Sequence, residues 1–204
     1  MQTKFVLIAS AFGIWAVITW NGGWIASWNL PFWNSASNLP LGTAKGIVVD
    51  DEGRIYIGSQ FYNRIQLYDV SGAYLNGWFI QGNSGPFRMR INAQDQIEVA
   101  SRRTDKIFTF DDEGNLIKRV EALNPYDEFG NKNERIHIDE RGDLYEIRNG
   151  AILPAVTRNN IIVVRTPWYL WLTMAPFPAW LFGILAALTT LALKETSSKQ
   201  IGSR

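Results

Sequence analysis

Few side chains in this sequence are of types that carry out chemistry. There is no cysteine, which excludes disulfides, thiolate metal ligands and a thiol nucleophile. The single histidine, His137, lies between Ile136 and Ile138 in an alternating run. Alternation predicts a strand whose isoleucines face a core, so we expect His137 to face away from it, at the surface or between sheets. A lone imidazole does not build a two-histidine metal site, and we predict no metal.

Two acidic runs raise the question of calcium binding. They are Asp50-Asp51-Glu52 and Asp111-Asp112-Glu113, and neither has the ligand spacing of an EF-hand loop. Each run follows an apolar segment and ends at a glycine, which indicates turn capping. Motifs of serine hydrolases, nucleotide-binding loops and zinc proteases are also missing from the sequence. We therefore expect no catalytic site and no cofactor, and predict that the protein is not an enzyme.

Basic residues cluster in the middle of the chain. They form a candidate patch for an anionic partner, such as a lipid headgroup, an acidic glycan or an acidic subunit, although a solvated face offset by nearby acids is the interpretation that we favour. The whole chain carries 20 basic and 19 acidic residues, so we expect no nucleic-acid partner. The patch comprises Arg88, Arg90, Arg102, Arg103 and Lys106.

Charge is missing from two long stretches, Phe5–Trp28 and Thr166–Leu193. Each exceeds the roughly 20 residues that cross a bilayer as a helix. The first stretch lacks a clear A-x-A cleavage site, so we expect an uncleaved anchor rather than a signal peptide. The predicted organisation is a transmembrane helix at 1–28, a linker at 29–40, a β domain at 41–165, a second transmembrane helix at 166–193 and a cytoplasmic tail at 194–204.

The apolar stretches also contain residues suited to membrane contacts. Small residues four apart allow helices to approach closely, and tryptophans favour the membrane–water interface. Lysines and arginines flank both stretches on their terminal sides, so we expect both termini in the cytoplasm and the β domain outside the plasma (inner) membrane. The predicted helix-packing residues are Ala9, Gly13, Ala179, Gly183 and Ala187, and the predicted interface anchors are Trp20, Trp24, Trp28, Trp168 and Trp171.

The segment between the apolar stretches repeats itself. A copy starting at Gly46 recurs 42 residues later at Arg88, and a third begins at Arg135 and matches as far as Ile147. In each copy an apolar run, a turn and a second apolar run follow one another, which indicates short antiparallel strands. Repeats of about 40 residues built from short strands are typical of propeller blades.

The first copy, GIVVDDEGRIYIGSQFYNRIQLYDVSG, resembles an NHL repeat, the blade unit of many six-bladed β-propellers. The resemblance implies a mainly β soluble domain that forms a partial propeller of about three blades. Such an arc leaves strand edges open. A second copy of the chain, a different subunit, or the strands at Ala151–Thr157 and Ile161–Arg165 folding back would cover them.

These expectations define two hypotheses about function. The first is a non-catalytic accessory or scaffold subunit of a multi-subunit membrane complex. Its partners would be the lipid bilayer and either other subunits or a second copy. The second is a membrane-anchored module that binds a peptide, a glycan or a small ligand outside the cytoplasm.

Overall fold

A computed structural model describes residues 2–27, 38–41, 44–80, 85–129, 134–148 and 153–201. The chain divides into two compact units. Residues 1–25 and 169–204 form a helical unit, and residues 26–168 form a mainly β unit. Trp28, one of the predicted anchors, lies outside the described residues.

Within the described residues, the β unit contains three four-stranded antiparallel sheets. In each sheet the strands pair in chain order, as the repeated strand–turn–strand pattern predicts. The first sheet is β1 (Ala44–Val49), β2 (Ile55–Ser59), β3 (Arg64–Tyr68) and β4 (Tyr74–Phe79); the second is β5 (Phe87–Ile91), β6 (Ile97–Ser101), β7 (Lys106–Phe110) and β8 (Leu116–Glu121); the third is β9 (Ile136–Ile138), β10 (Leu144–Arg148), β11 (Ala155–Arg158) and β12 (Ile161–Arg165).

The third sheet is complete. The sequence match ends at Ile147, yet β11 and β12 follow and pair in the same order as in the other sheets. Asn159 and Asn160 connect these two strands with φ of 49° and 69°, as a tight hairpin turn requires. Strand pairing therefore extends the repeat beyond the point where its sequence likeness stops.

A side-chain-capped turn closes the first hairpin of the first sheet. The Oδ1 atom of Asp50 accepts hydrogen bonds from the backbone N–H groups of Glu52 and Arg54, at 3.1 and 2.8 Å. Gly53 adopts φ of 82° and donates its N–H to the Asp50 carbonyl. Asp111 caps the turn between β7 and β8 in the same way. The prediction that the acidic runs cap turns is therefore confirmed.

The first sheet is packed on both of its faces. We call the face that carries Val49 and Ile55 its leading face and the opposite face its trailing face, and we name the equivalent faces of the other sheets in the same way. The leading face of the first sheet packs on the trailing face of the third. The trailing face of the first sheet packs on the leading face of the second. Two apolar cores result, with the first sheet between them.

The helical unit contains most of α1 (Gln2–Ser27), most of the short helix α3 (Trp168–Met174), and α4 (Pro176–Ile201). Among the described helices, α1 and α4 are long and apolar enough to cross a bilayer, and 11% of each apolar window is buried. The second apolar stretch is divided between α3 and α4, with Ala175 between the two helices. A residue before proline is disfavoured in the helical conformation, which explains a break before Pro176.

Candidate functional site

A cavity of about 460 Å³ lies where the first strands of the three sheets meet. β1, β5 and β9 each contribute to its wall, together with residues at the end of the short helix α2 (Pro125–Glu128) and beyond it. The charged and imidazole groups in its lining are Arg88, Arg90, Glu128, Glu134 and His137. The apolar part of the lining includes Ile47, Val49, Met89, Ile91, Phe129 and Ile136.

Arg88, Tyr126 and Glu134 form a hydrogen-bonded network at this cavity. The Arg88 Nε lies 3.2 Å from Glu134 Oε1, and the Tyr126 hydroxyl donates to the same oxygen at 2.8 Å. Arg88 also donates from Nη1 to the Tyr126 carbonyl and stacks 4.0 Å from the centre of its ring. Burial, reinforced by the hydrogen bond to Glu134, raises the pKa of the Tyr126 hydroxyl. The network ties the connection after the second sheet to β5.

Arg90 is balanced by an acid and an aromatic ring. Its guanidinium lies 2.7 Å from Glu98 on the neighbouring strand and 4.2 Å from the centre of the Phe129 ring. A cation over a ring face at this distance is attracted by the ring quadrupole. The wall formed by Arg88 and Arg90 is thus polar but internally compensated.

His137 lies between the first and third sheets, which is one of its two expected positions, but the isoleucines beside it do not face a core as expected. It lines the cavity and lies opposite Tyr145, whose side chain belongs to the buried trailing face of the third sheet. Ile136 and Ile138 are instead 38% and 63% exposed. The alternation showed which residues share a face, but the position of the first sheet determines which face is buried.

Three residues of the predicted basic patch lie near the cavity and Tyr126. Arg88 and Arg90 lie together at the cavity, and Arg102 lies 5.8 Å from the centre of the Tyr126 ring that Arg88 also contacts. Lys106 instead pairs with Glu121 across β7 and β8, at 3.6 Å. Arg103, the remaining member, is exposed in the turn after β6.

The predicted small residues lie on helices α1 and α4, and the two glycines among them are not closely packed. A side chain added at Gly13 or at Gly183 would meet nothing within 4 Å. Aromatic side chains make the contacts instead, with Phe12 stacked on Phe182 at 6.1 Å between ring centres. A groove of about 530 Å³ runs between the helices and is lined by Ala16, Val17, Trp20, Asn21, Ala179, Trp180, Gly183, Ile184 and Ala187. Ala9, the remaining predicted residue, is half-buried on α1.

The close approach within the helical unit occurs at Gly22, which is not among the predicted helix-packing residues. A side chain there would collide with the Thr173 carbonyl of α3. A glycine one turn before the end of an apolar helix was the available signal. Of the predicted interface anchors, Trp20, Trp24 and Trp168 are exposed and Trp171 is buried.

Known proteins add little to this picture. No family model matches the chain, and no curated protein matches it. Among solved structures, virginiamycin B lyase from Staphylococcus aureus is 16% identical, with a TM-score of 0.36 over 60% of this chain and 40% of that chain. A streptogramin B lyase is 14% identical, with a TM-score of 0.37 over 59% of this chain and 39% of that chain. A protein of unknown function from Bacteroides caccae is 14% identical, with a TM-score of 0.33 over 64% of this chain and 48% of that chain. The chain thus spans less than half the length of these proteins, and we draw no functional argument from them.

Proposed function

We propose that this chain is a membrane-anchored, non-catalytic accessory or scaffold subunit of a multi-subunit membrane complex. The observation that carries the proposal is the apolar surface of α1 and α4. Only 11% of each apolar window is buried, so nearly all of this surface needs lipid or another protein to cover it. We further propose that both helices span the plasma membrane, with both chain termini in the cytoplasm and the β unit outside it.

The β unit serves this role as an arc of three NHL-like blades. Its charged cavity residues favour a structural role, because Arg88 and Arg90 are compensated by Glu134 and Glu98. Among the described residues, no group of three or more His, Asp or Glu side chains is placed to hold a metal ion. The β unit would therefore contribute a docking surface rather than a reaction.

A second candidate function is a membrane-anchored binding module. The central cavity favours it, since about 460 Å³ lies within the range of small-molecule sites and combines apolar walls with a few polar groups. Glu128 lies at the cavity, and no ion pair of this residue is seen within the described part of the chain. A zwitterionic small molecule or a peptide terminus would suit this mixture of charges.

Purification of the full chain from its native membrane in a gentle detergent, followed by native mass spectrometry, tests the proposal. We expect other membrane subunits to remain bound in a fixed ratio. A stable monomer without partners would refute the accessory role. Saturable binding of a small ligand to that monomer, lost in Arg90→Ala, would then favour the binding module.

A further inference from the structure

The same hairpin position has two different environments in this molecule. Each sheet pairs the last residue of its first strand with the first residue of its second strand: Val49 with Ile55, Ile91 with Ile97, and Ile138 with Leu144. In the first sheet both side chains are at most 5% exposed, and the second sheet's pair also packs in a core. In the third sheet Ile138 is 63% exposed and Leu144 is 37% exposed.

The buried pairs are covered by a neighbouring sheet in both cases. A trailing face packs over each of the first two leading faces, and its side chains are tyrosine, tryptophan and aliphatic residues. The trailing face of the first sheet, which covers the second sheet, contributes Val48, Tyr56, Ile65, Leu67 and Trp78. The trailing face of the third sheet, which covers the first sheet, contributes Tyr145, Ile147, Val156 and Val164. The chain itself therefore shows which chemistry covers a leading face.

The third leading face continues across its sheet. Ile136 pairs with Glu146, which is followed in the next strands by Thr157 and Ile162. Ile136 on β9 and Ile162 on β12 are exposed, whereas Thr157 on β11 between them is buried. Glu146 stands where the first two sheets have Ile57 and Val99, and it pairs with Arg148 at 2.9 Å. The face thus combines exposed aliphatic side chains with the Glu146–Arg148 ion pair and with the exposed Arg165, which lies on the same face because it pairs with Ala155 opposite Arg148.

We propose that the leading face of the third sheet is the docking surface for a β-sheet of a partner subunit. The partner's face would carry tyrosine, tryptophan and aliphatic side chains, as the two trailing faces of this chain do. This inference rests on the accessory function proposed above and names the surface through which it operates.

The available faces favour a different subunit over a second copy. The trailing faces of the first and third sheets are already buried within the chain. The trailing side of the second sheet carries Arg88 and Arg90, which lie against Tyr126 and Phe129. Among the described residues, a second copy therefore offers no free trailing face made only of tyrosine, tryptophan and aliphatic side chains, because Val120 on the second sheet shares its face with these arginines.

The test compares Ile138→Asp with Ile117→Asp in the full chain, purified from the native membrane. Ile117 is also about half exposed, but it lies on β8 of the second sheet. We expect Ile138→Asp to reduce the co-purified subunit at least tenfold while its circular dichroism spectrum and melting temperature match those of the control. Equal recovery of the subunit with both variants overturns this docking surface but leaves the accessory function standing. Absence of any subunit from the wild-type preparation overturns the proposed function itself.

The missing cysteines allow a second measurement. In Ile138→Cys the introduced thiol is the one cysteine in the chain, so mild oxidation reports whether two copies meet at this face. We expect no disulfide-linked homodimer in the membrane. Rapid and complete dimer formation would overturn the assignment of a different partner. A bifunctional reagent at the same cysteine should instead link to a strand of the co-purified subunit rich in aromatic and β-branched residues.

Discussion

Gly72→Ala is the substitution that most sharply tests the packing of the β unit. Gly72 has φ of 85° in the turn before β4, and an added Cβ would collide with the Val163 carbonyl of β12. The left-handed conformation alone costs an alanine about 1–2 kcal/mol. Separating the turn from β12 would also expose part of the buried Val164, which adds about 1 kcal/mol if half of its burial is lost. We expect a total loss of about 2–3 kcal/mol.

Gly142→Ala is the matched control for this prediction. Gly142 has φ of 83°, but an added Cβ would meet nothing within 4 Å, so only the backbone cost remains. The difference between the variants isolates the contact between the first and third sheets. At about 2–4 °C per kcal/mol, Gly72→Ala should melt about 2–4 °C below Gly142→Ala in the same detergent, measured by near-ultraviolet circular dichroism. Equal melting temperatures would show that the turn does not hold β12.

Three further predictions concern charge and helix contacts. Burial raises the pKa of the Tyr126 hydroxyl, so the contribution of this group to the free energy of unfolding is complete below pH 10 and is lost as the pH rises further. The Tyr126→Phe variant should therefore show a weaker dependence of the free energy of unfolding on pH in alkaline solution. Hydrogen bonding from Asn159 lowers the pKa of Asp143, so the contribution of the Asp143 carboxylate to the free energy of unfolding is present at neutral pH and is lost on acidification. The Asp143→Asn variant should therefore show a weaker dependence of the free energy of unfolding on pH in acid. Gly22→Leu should separate the helices of the helical unit, while Gly13→Leu should not, as measured by energy transfer between labelled helix ends.

The sequence was a reliable guide to strands and turns because their signals are local. Asp50 and Asp111 precede glycines at the right distance for capping, and the structure has those hydrogen bonds. The isoleucines on either side of His137 were predicted to face a core and are instead exposed, because alternation does not specify which face a neighbouring sheet will cover. Gly22 was missed because the carbonyl it approaches is about 150 residues away in the chain.

The third repeat shows a different limit. Beyond Ile147 its residues no longer match the other copies, but β11 and β12 still complete the sheet. Backbone hydrogen bonds impose little sequence requirement on a strand, so pairing survives where side-chain likeness has disappeared. The cavity arises from strands belonging to all three copies, and no single copy contains a pattern that predicts it.

The hydrogen bond between the Leu41 N–H and the Thr166 hydroxyl joins residues 125 positions apart and ties the two ends of the β unit together. This long separation has a consequence for biosynthesis. At about 5–20 residues per second, a ribosome needs roughly 6–25 s to make the intervening chain. Throughout that interval the leading face of the first sheet lacks its cover from the third. The nascent β unit therefore passes through a stage in which the apolar side chains of this face are not yet covered by their partners in the third sheet.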